Sequence, residues 1–190
     1  EVTHLVTMIV EGDDSWMFQI PGTSLVKFQA ELCDCEWLPV TTQGEAEKEV
    51  EDLMFALSEL DIDGIVSGAL RSDYQKTRLE RMAEELNIKS FTPLWHQSSE
   101  SHMSNLVANG FKVMITGVST EGLGDEWLGC VLNEESLQQL SLNAMKYRFH
   151  VDGEGGEYET LVIAGPHMSG ELKLDFKKHW DGVRGHLSFN

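Results

Sequence analysis

Two segments of this chain gather residue types that ordinary folding does not require. In the first, Gly153-Glu154-Gly155-Gly156-Glu157-Tyr158-Glu159-Thr160, three glycines permit unusual backbone angles and three carboxylates crowd within six residues. Carboxylates so close repel one another, so the cluster calls for a cation, a metal or hydrogen-bond donors. If residues 157–161 enter a strand, Glu157 and Glu159 share one face and Tyr158 takes the other. An acidic hairpin turn is the plain alternative. His150 lies just before this cluster, whereas the other histidines have no partner at ligand spacing.

The second segment runs Gly64-Ile-Val-Ser-Gly-Ala-Leu-Arg-Ser-Asp-Tyr-Gln: a strand, a turn of small residues and a helix start. Gly68 and Ala69 let a ligand approach the backbone. Ser72, with Gln75 three residues on, has capping-box form. A helix amino end offers unpaired N–H groups to an anion, and Arg71 and Arg78 add formal positive charge. An ordinary, well-capped strand-to-helix turn is the competing reading. A third stretch, Gly122–Gly129, combines glycines with Trp127, which either presents an aromatic face or packs inward. No serine-nucleophile elbow and no Walker-type loop occurs.

The elements that must position these segments follow from hydrophobic period. Residues 5–10 form an apolar, β-branched strand ended by the loop Gly12–Ser15. Leu25, Phe28 and Leu32 fall at helical spacing, predicting a helix over 24–35, and a short strand follows at 37–41. Val50, Leu53, Met54, Leu57 and Leu60 form the apolar stripe of a helix over 45–60. Residues 62–67 make a third strand, and Leu79, Met82, Ala83 and Leu86 mark the helix that Ser72 caps. This alternation predicts an α/β fold with a mainly parallel sheet flanked by helices, whose ligands sit beyond the carboxyl ends of the strands. The loop 67–72 is so placed.

Residues 91–99 are expected to link this region, 1–95, to a smaller C-terminal α+β region, 100–190. There, Met103, Leu106 and Val107 mark a helix stopped by Asn109-Gly110. Residues 113–118 form a strand. Leu137, Leu140, Ala144 and Met145 mark a helix, and 161–164 another strand. Leu172, Leu174 and Phe176 alternate, as do Val183, Gly185, Leu187 and Phe189, predicting a hairpin through Asp181-Gly182.

Composition narrows the partners. The 190 residues carry 32 Asp and Glu against 14 Lys and Arg, a formal net charge of −18. Such a surface repels nucleic acid and anionic membranes, which argues against both as partners. Cys33, Cys35 and Cys130 make no disulfide framework, and Cys33-Asp34-Cys35 lacks a second Cys/His pair at zinc spacing. With no long apolar run and no signal peptide, a cytoplasmic protein is expected.

Several motifs resemble, in order, those of the diphthine–ammonia ligase family. They are GALRSDYQKTR at 68–78 with PLW at 93–95, GLGDEWLG at 122–129, and FHVDGEGGEYETLV at 149–162. LVTM at 5–8, Ser15–Phe18, Gln29–Glu31 and Glu49–Leu53 are similar to that family too. The resemblance covers about residues 5–165 and leaves 166–190 unassigned. It implies a Rossmann-like nucleotide fold of the PP-loop type, cleavage of ATP to AMP and pyrophosphate, and amidation of diphthine on elongation factor 2 by ammonium. It leaves room for a homodimer. Under it, Gly68, Ala69, Ser72, Tyr74, Gln75 and Arg78 bind the nucleotide, and Glu154, Glu157 and Glu159 handle substrate, ammonium or Mg²⁺. Trp127, Gly155, Gly156, Tyr158 and Thr160 line the substrate, with Tyr158 and Trp127 as aromatic faces for the trimethylammonium group. The family's Ser-Gly-Gly-Lys-Asp-Ser phosphate loop is not among these residues, and chain order places it before Glu1. Two rival readings remain: a module that binds adenine nucleotide without turnover, and a related adenylating enzyme acting on another substrate.

Overall fold

A computed structural model describes residues 1–11 and 22–189. The loop expected at Gly12–Ser15 and the motif Ser15–Phe18 lie outside the described residues. The chain divides into two compact units, Glu1–Glu31 with Cys35–His96, and Leu32–Asp34 with Gln97–Asn190.

In the first unit, β1 (His4–Val10) runs parallel to β2 (Glu36–Thr42), with His4 opposite Glu36 and Val10 opposite Thr42. Helix α1 (Val26–Leu32) lies between them in sequence. Helix α2 (Lys48–Ser58) leads to β3 (Gly64–Val66), and α3 (Asp73–Glu85) leads to β4 (Lys89–Phe91), which is parallel to β3. One apolar core joins these elements. Met8, Val40, Leu53, Leu57 and Met82 are buried together, with Val50, Met54, Ile65 and Leu79 packed around them. Each such aliphatic side chain contributes about 1.5–3 kcal/mol on burial.

The α/β alternation and the parallel pairing agree with the pattern in the sequence. Among the described residues, however, the four strands form two separate parallel pairs rather than one continuous sheet. Helix α2 starts at Lys48 and not at Glu45, because Gly44 (φ 77°) and Glu47 (φ 66°) hold left-handed backbone that a helix cannot include. Strand β4 replaces the start of the expected linker. A three-residue strand is too short to show a period, and only its pairing with β3 reveals it.

The second unit is an antiparallel sheet in the order β6-β5-β8-β7 with two helices. Helix α4 (Ser99–Ala108) is capped by Ser98 and ends at Asn109 before Gly110, φ 79°. Strand β5 (Lys112–Val118) is buried from its second residue to its last. Helix α5 (Glu134–Tyr147) opens with a full capping box between Asn133 and Ser136. Along it Leu140 and Ala144 are buried, whereas Met145, expected on the apolar stripe, points outward at 75% exposure. Strand β6 (Tyr158–Ala164) pairs with β5.

Strands β7 (Phe176–Trp180) and β8 (Gly185–Phe189) form the hairpin predicted through Asp181-Gly182. Asp181 Oδ1 accepts the Val183 and Arg184 N–H groups at 2.8 and 2.7 Å, and these bonds hold its carboxyl below the usual range. Residues 172–174 are not strand; the Leu172 N–H donates to the Ile163 carbonyl at 2.8 Å instead. The other edge of β5 bonds residues 129–132 and then β8. Ile115 N–H reaches Cys130 O at 2.9 Å, Leu132 N–H reaches Val113 O at 2.8 Å, and Gly117 and Val118 face His186 and Gly185. No helix among the described residues is long and apolar enough to cross a membrane.

Candidate functional site

The turn after β3 is built as the sequence suggested. Ser72 caps α3, its hydroxyl accepting the Gln75 N–H at 3.3 Å. Ala69 is buried, while Gly68 is exposed and a Cβ placed there would meet nothing within 4 Å among the described residues. The glycine thus faces open space beside a helix amino end. Ser67, one residue earlier, has a buried hydroxyl oxygen with no hydrogen-bond partner among the described residues. A buried hydroxyl without a partner costs free energy, and one at the mouth of such a turn suits a polar ligand.

The PLW motif, taken as linker, belongs beside this turn. The His96 N–H donates to Leu70 O at 2.9 Å, Trp95 stacks on His96 at 4.6 Å, and Lys76 sits 5.2 Å over the Trp95 ring. Sequence reasoning missed this because only the pairing of β4 with β3 carries 92–96 there.

The Arg78 guanidinium lies 3.5 Å over the Tyr74 ring, and its Nε and Nη2 both donate to Glu47 Oε1, the former at 2.9 Å. Tyr74 and Arg78 therefore tie α3 to the start of α2.

In the second unit the glycine and glutamate segment forms a loop leading into β6. Glu157 builds that loop. Its Oε1 accepts the His150 N–H at 2.9 Å and its Oε2 the Gly155 N–H at 2.8 Å. Of the three ways to satisfy the carboxylate, Glu157 takes hydrogen-bond donors from its own loop. Gly153 (φ 73°) and Gly156 (φ 77°) make the bends, with Gly156 N–H bonded to Gly153 O at 2.9 Å. Gly155 lets Glu157 close in, since a Cβ there would stand 2.6 Å from Oε1. Ser119, which the sequence did not single out, ties the loop to the end of β5: its N–H meets Glu157 O at 2.8 Å and its hydroxyl meets Gly156 O at 2.5 Å.

Tyr158 is 4% exposed and donates its hydroxyl to Val151 O. Burial, with Asp152 and Glu157 nearby, pushes its phenol far above the ordinary value, so it stays neutral. Trp127 is 6% exposed in the turn Asp125–Trp127. Both rings are thus buried rather than open to solvent. Glu154 and Thr160 are half-buried, and Gly155 and Gly156 are exposed at the tip.

Glu159 differs from Glu157. Its carboxyl lies in β6 opposite Gly117, and burial pushes it above its ordinary value of 4.5. The folded chain therefore holds more protons than the unfolded chain between 4.5 and the raised value. Stability contributed by this group must fall as pH rises through that window. Glu159→Gln is expected to flatten that slope and to raise stability above it. Urea melts of both proteins from pH 5 to 8 check this; parallel curves would refute it.

Among the described residues no three or more His, Cys, Asp or Glu side chains are arranged to hold a metal ion.

The same two units match two family models. One, the diphthamide synthase N-terminal domain, matches residues 1–90, and the other, the diphthamide synthase C-terminal domain, matches 98–190. The second match takes in residues 166–190, which the motifs had left unassigned. Mouse diphthine–ammonia ligase is 34% identical over 185 residues, covering 87% of this chain and 68% of that protein. The rat protein of the same name is 32% identical over 184 residues, with 87% and 68% covered. The Schizosaccharomyces pombe protein of that name is 30% identical over 192 residues, covering 93% of this chain and 32% of its own length. The chain thus spans about two thirds of the rodent proteins and about a third of the yeast one.

Proposed function

The chain belongs to the diphthine–ammonia ligase family, and on that premise we propose that it serves the ATP-dependent, AMP-forming amidation of diphthine on elongation factor 2. The observation that carries the reading in this chain is the turn at 67–72. An open glycine, a buried hydroxyl without a partner among the described residues and a serine-capped helix start converge there, and together they suit a nucleotide. We assign the first unit, 1–95, to nucleotide binding in a Rossmann-like arrangement, and the second, 100–190, to the protein substrate. A cytosolic elongation factor as substrate makes the protein cytoplasmic.

The reaction has two steps. An oxygen of the diphthine carboxylate bonds to the α-phosphorus of ATP, and the bond from that phosphorus to pyrophosphate breaks. Ammonia then bonds to the acyl carbon, the bond to AMP oxygen breaks, and the nitrogen loses a proton. Positioning and charge supply most of the acceleration in such phosphoryl chemistry. Gly68, Ala69 and Ser72 receive the nucleotide, Gln75 presents its backbone N–H to the Ser72 cap, and Arg71 faces the phosphates. The loop 154–160 receives the diphthine side chain, its shape set by Glu157. Any Mg²⁺ arrives with the ATP phosphates, and no step here depends on it.

Gly68→Val tests the reading. A Cβ there meets nothing within 4 Å among the described residues, so the fold should stand, yet the side chain fills the space assigned to nucleotide. ATP affinity in a calorimetric titration is expected to fall at least about tenfold, or 1.4 kcal/mol, with the melting temperature unchanged. Unchanged affinity would remove the nucleotide from this turn. Release of AMP by the full-length wild type with diphthine-bearing elongation factor separates a ligase from a module that only binds.

A further inference from the structure

One row across the second sheet brings together residues that the sequence keeps far apart. Gly117 on β5 lies opposite Glu159 on β6 and opposite His186 on β8, and His186 lies opposite His179 on β7. Residues directly opposed on antiparallel strands project on the same face. Glu159, Gly117, His186 and His179 therefore form one line on one face, and only Gly117 lacks a side chain.

The geometry of the line is specific. The Glu159 side chain leans over the glycine: its Cβ, Cγ and Oε2 are the nearest atoms to a Cβ placed on Gly117, at 3.5 to 3.7 Å. From the other side the His186 imidazole stacks on that of His179, with centroids 4.8 Å apart and planes 12° from parallel, and His179 Nε2 lies 2.7 Å from Ser188 Oγ. Two strand spacings put the Glu159 and His186 backbones about 10 Å apart. The bare glycine thus separates a carboxylate from an imidazole along one face of the sheet.

We propose that this row is the ammonium site: Glu159 holds NH₄⁺ over Gly117 and His186 takes its proton. The proposal rests on the ligase reading above. Ammonium is charged at neutral pH and has no lone pair for attack. A carboxylate attracts it, and a neutral imidazole is the side chain suited to accept a proton near neutrality. One N–H bond of ammonium breaks, its electron pair stays on nitrogen, and the proton goes to His186. The ammonia bonds to the acyl carbon, AMP leaves with its oxygen, and the second proton passes to solvent. A cation here also offsets the burial that pushes the Glu159 carboxyl up. The trimethylammonium group of diphthine has no N–H to give a carboxylate.

Full-length protein, ATP and diphthine-bearing elongation factor test it, with ammonium chloride varied. Adenylation is followed separately by exchange of labelled pyrophosphate into ATP. Gly117→Ala adds one methyl group at ordinary contact distance from Glu159, so the sheet tolerates it. It is expected to raise the KM for ammonium at least about tenfold while kcat at saturation and the exchange rate stay near wild type. His186→Gln is expected to lower kcat with ammonium about a hundredfold, in the usual range for loss of a proton acceptor. Hydroxylamine is neutral at neutral pH and needs no such acceptor, so it should form the hydroxamate at the wild-type rate in His186→Gln. Normal exchange with an unchanged ammonium KM in Gly117→Ala overturns the proposal, as does a His186→Gln enzyme equally slow with hydroxylamine. Wild-type protein that shows no exchange overturns the ligase reading, and this assignment with it.

Discussion

Glu157→Gln should disable the second unit's loop while leaving nucleotide binding in the first unit intact. The wild-type carboxylate accepts two backbone N–H groups, from His150 and Gly155. Glutamine keeps one acceptor oxygen and sets an NH₂ group against the other donor. Hydrogen bonds to a charged acceptor contribute about 1.5–3 kcal/mol each when shielded, and at this partly exposed loop a loss of about 2 kcal/mol is expected. Binding of diphthine-bearing elongation factor should weaken by more than about tenfold. ATP affinity should not change. Calorimetric titration with each ligand reads both, and a variant with normal affinity for the modified factor would show that the loop's shape is irrelevant to it.

Gly64→Ala should be the most damaging single methyl group in the first unit. Its Cβ would lie 2.6 Å from the Lys89 carbonyl oxygen and 3.0 Å from the Phe91 ring. The oxygen is backbone of the paired strand β4 and cannot swing aside. Relief requires β3 and β4 to separate, and overpacking of this kind typically costs about 1–3 kcal/mol or more. Because the turn at 67–72 leaves the end of β3, and Ser67 N–H itself bonds Phe91 O at 2.9 Å, nucleotide binding should fall together with stability. A melting temperature and ATP affinity equal to those of wild type would contradict this.

The contrast between two glycines shows what sequence can and cannot convey. Gly68 was readable, because a small residue between a strand and a capped helix has a local meaning. Gly117 was not, since it looks like any residue in an apolar strand. Its significance comes from opposing Glu159 and His186, which lie 42 and 69 positions further along the chain. The helices were legible wherever a 3.6-residue stripe existed, as in α2 and α5. Helix starts were less so where left-handed residues such as Glu47 intervene. Residue type singled out Glu157 and Tyr158, but it could not show that both hydrogen-bond to the backbone of their own loop. The pairing of β3 with β4, invisible over three residues, was needed to bring Trp95 to the turn it flanks.

Strand β5 is enclosed on both edges, by β6 on one and by residues 129–132 and β8 on the other. Its amides can meet solvent deuterium only when the whole second unit opens, whereas those of β7, at the edge of the sheet, exchange when the hairpin frays. The central strand therefore sets the slow clock of this unit. Ser119 fastens the glutamate loop one residue beyond it, where that clock gives way to faster motion. The loop can thus open and reclose many times within the lifetime of one folded sheet.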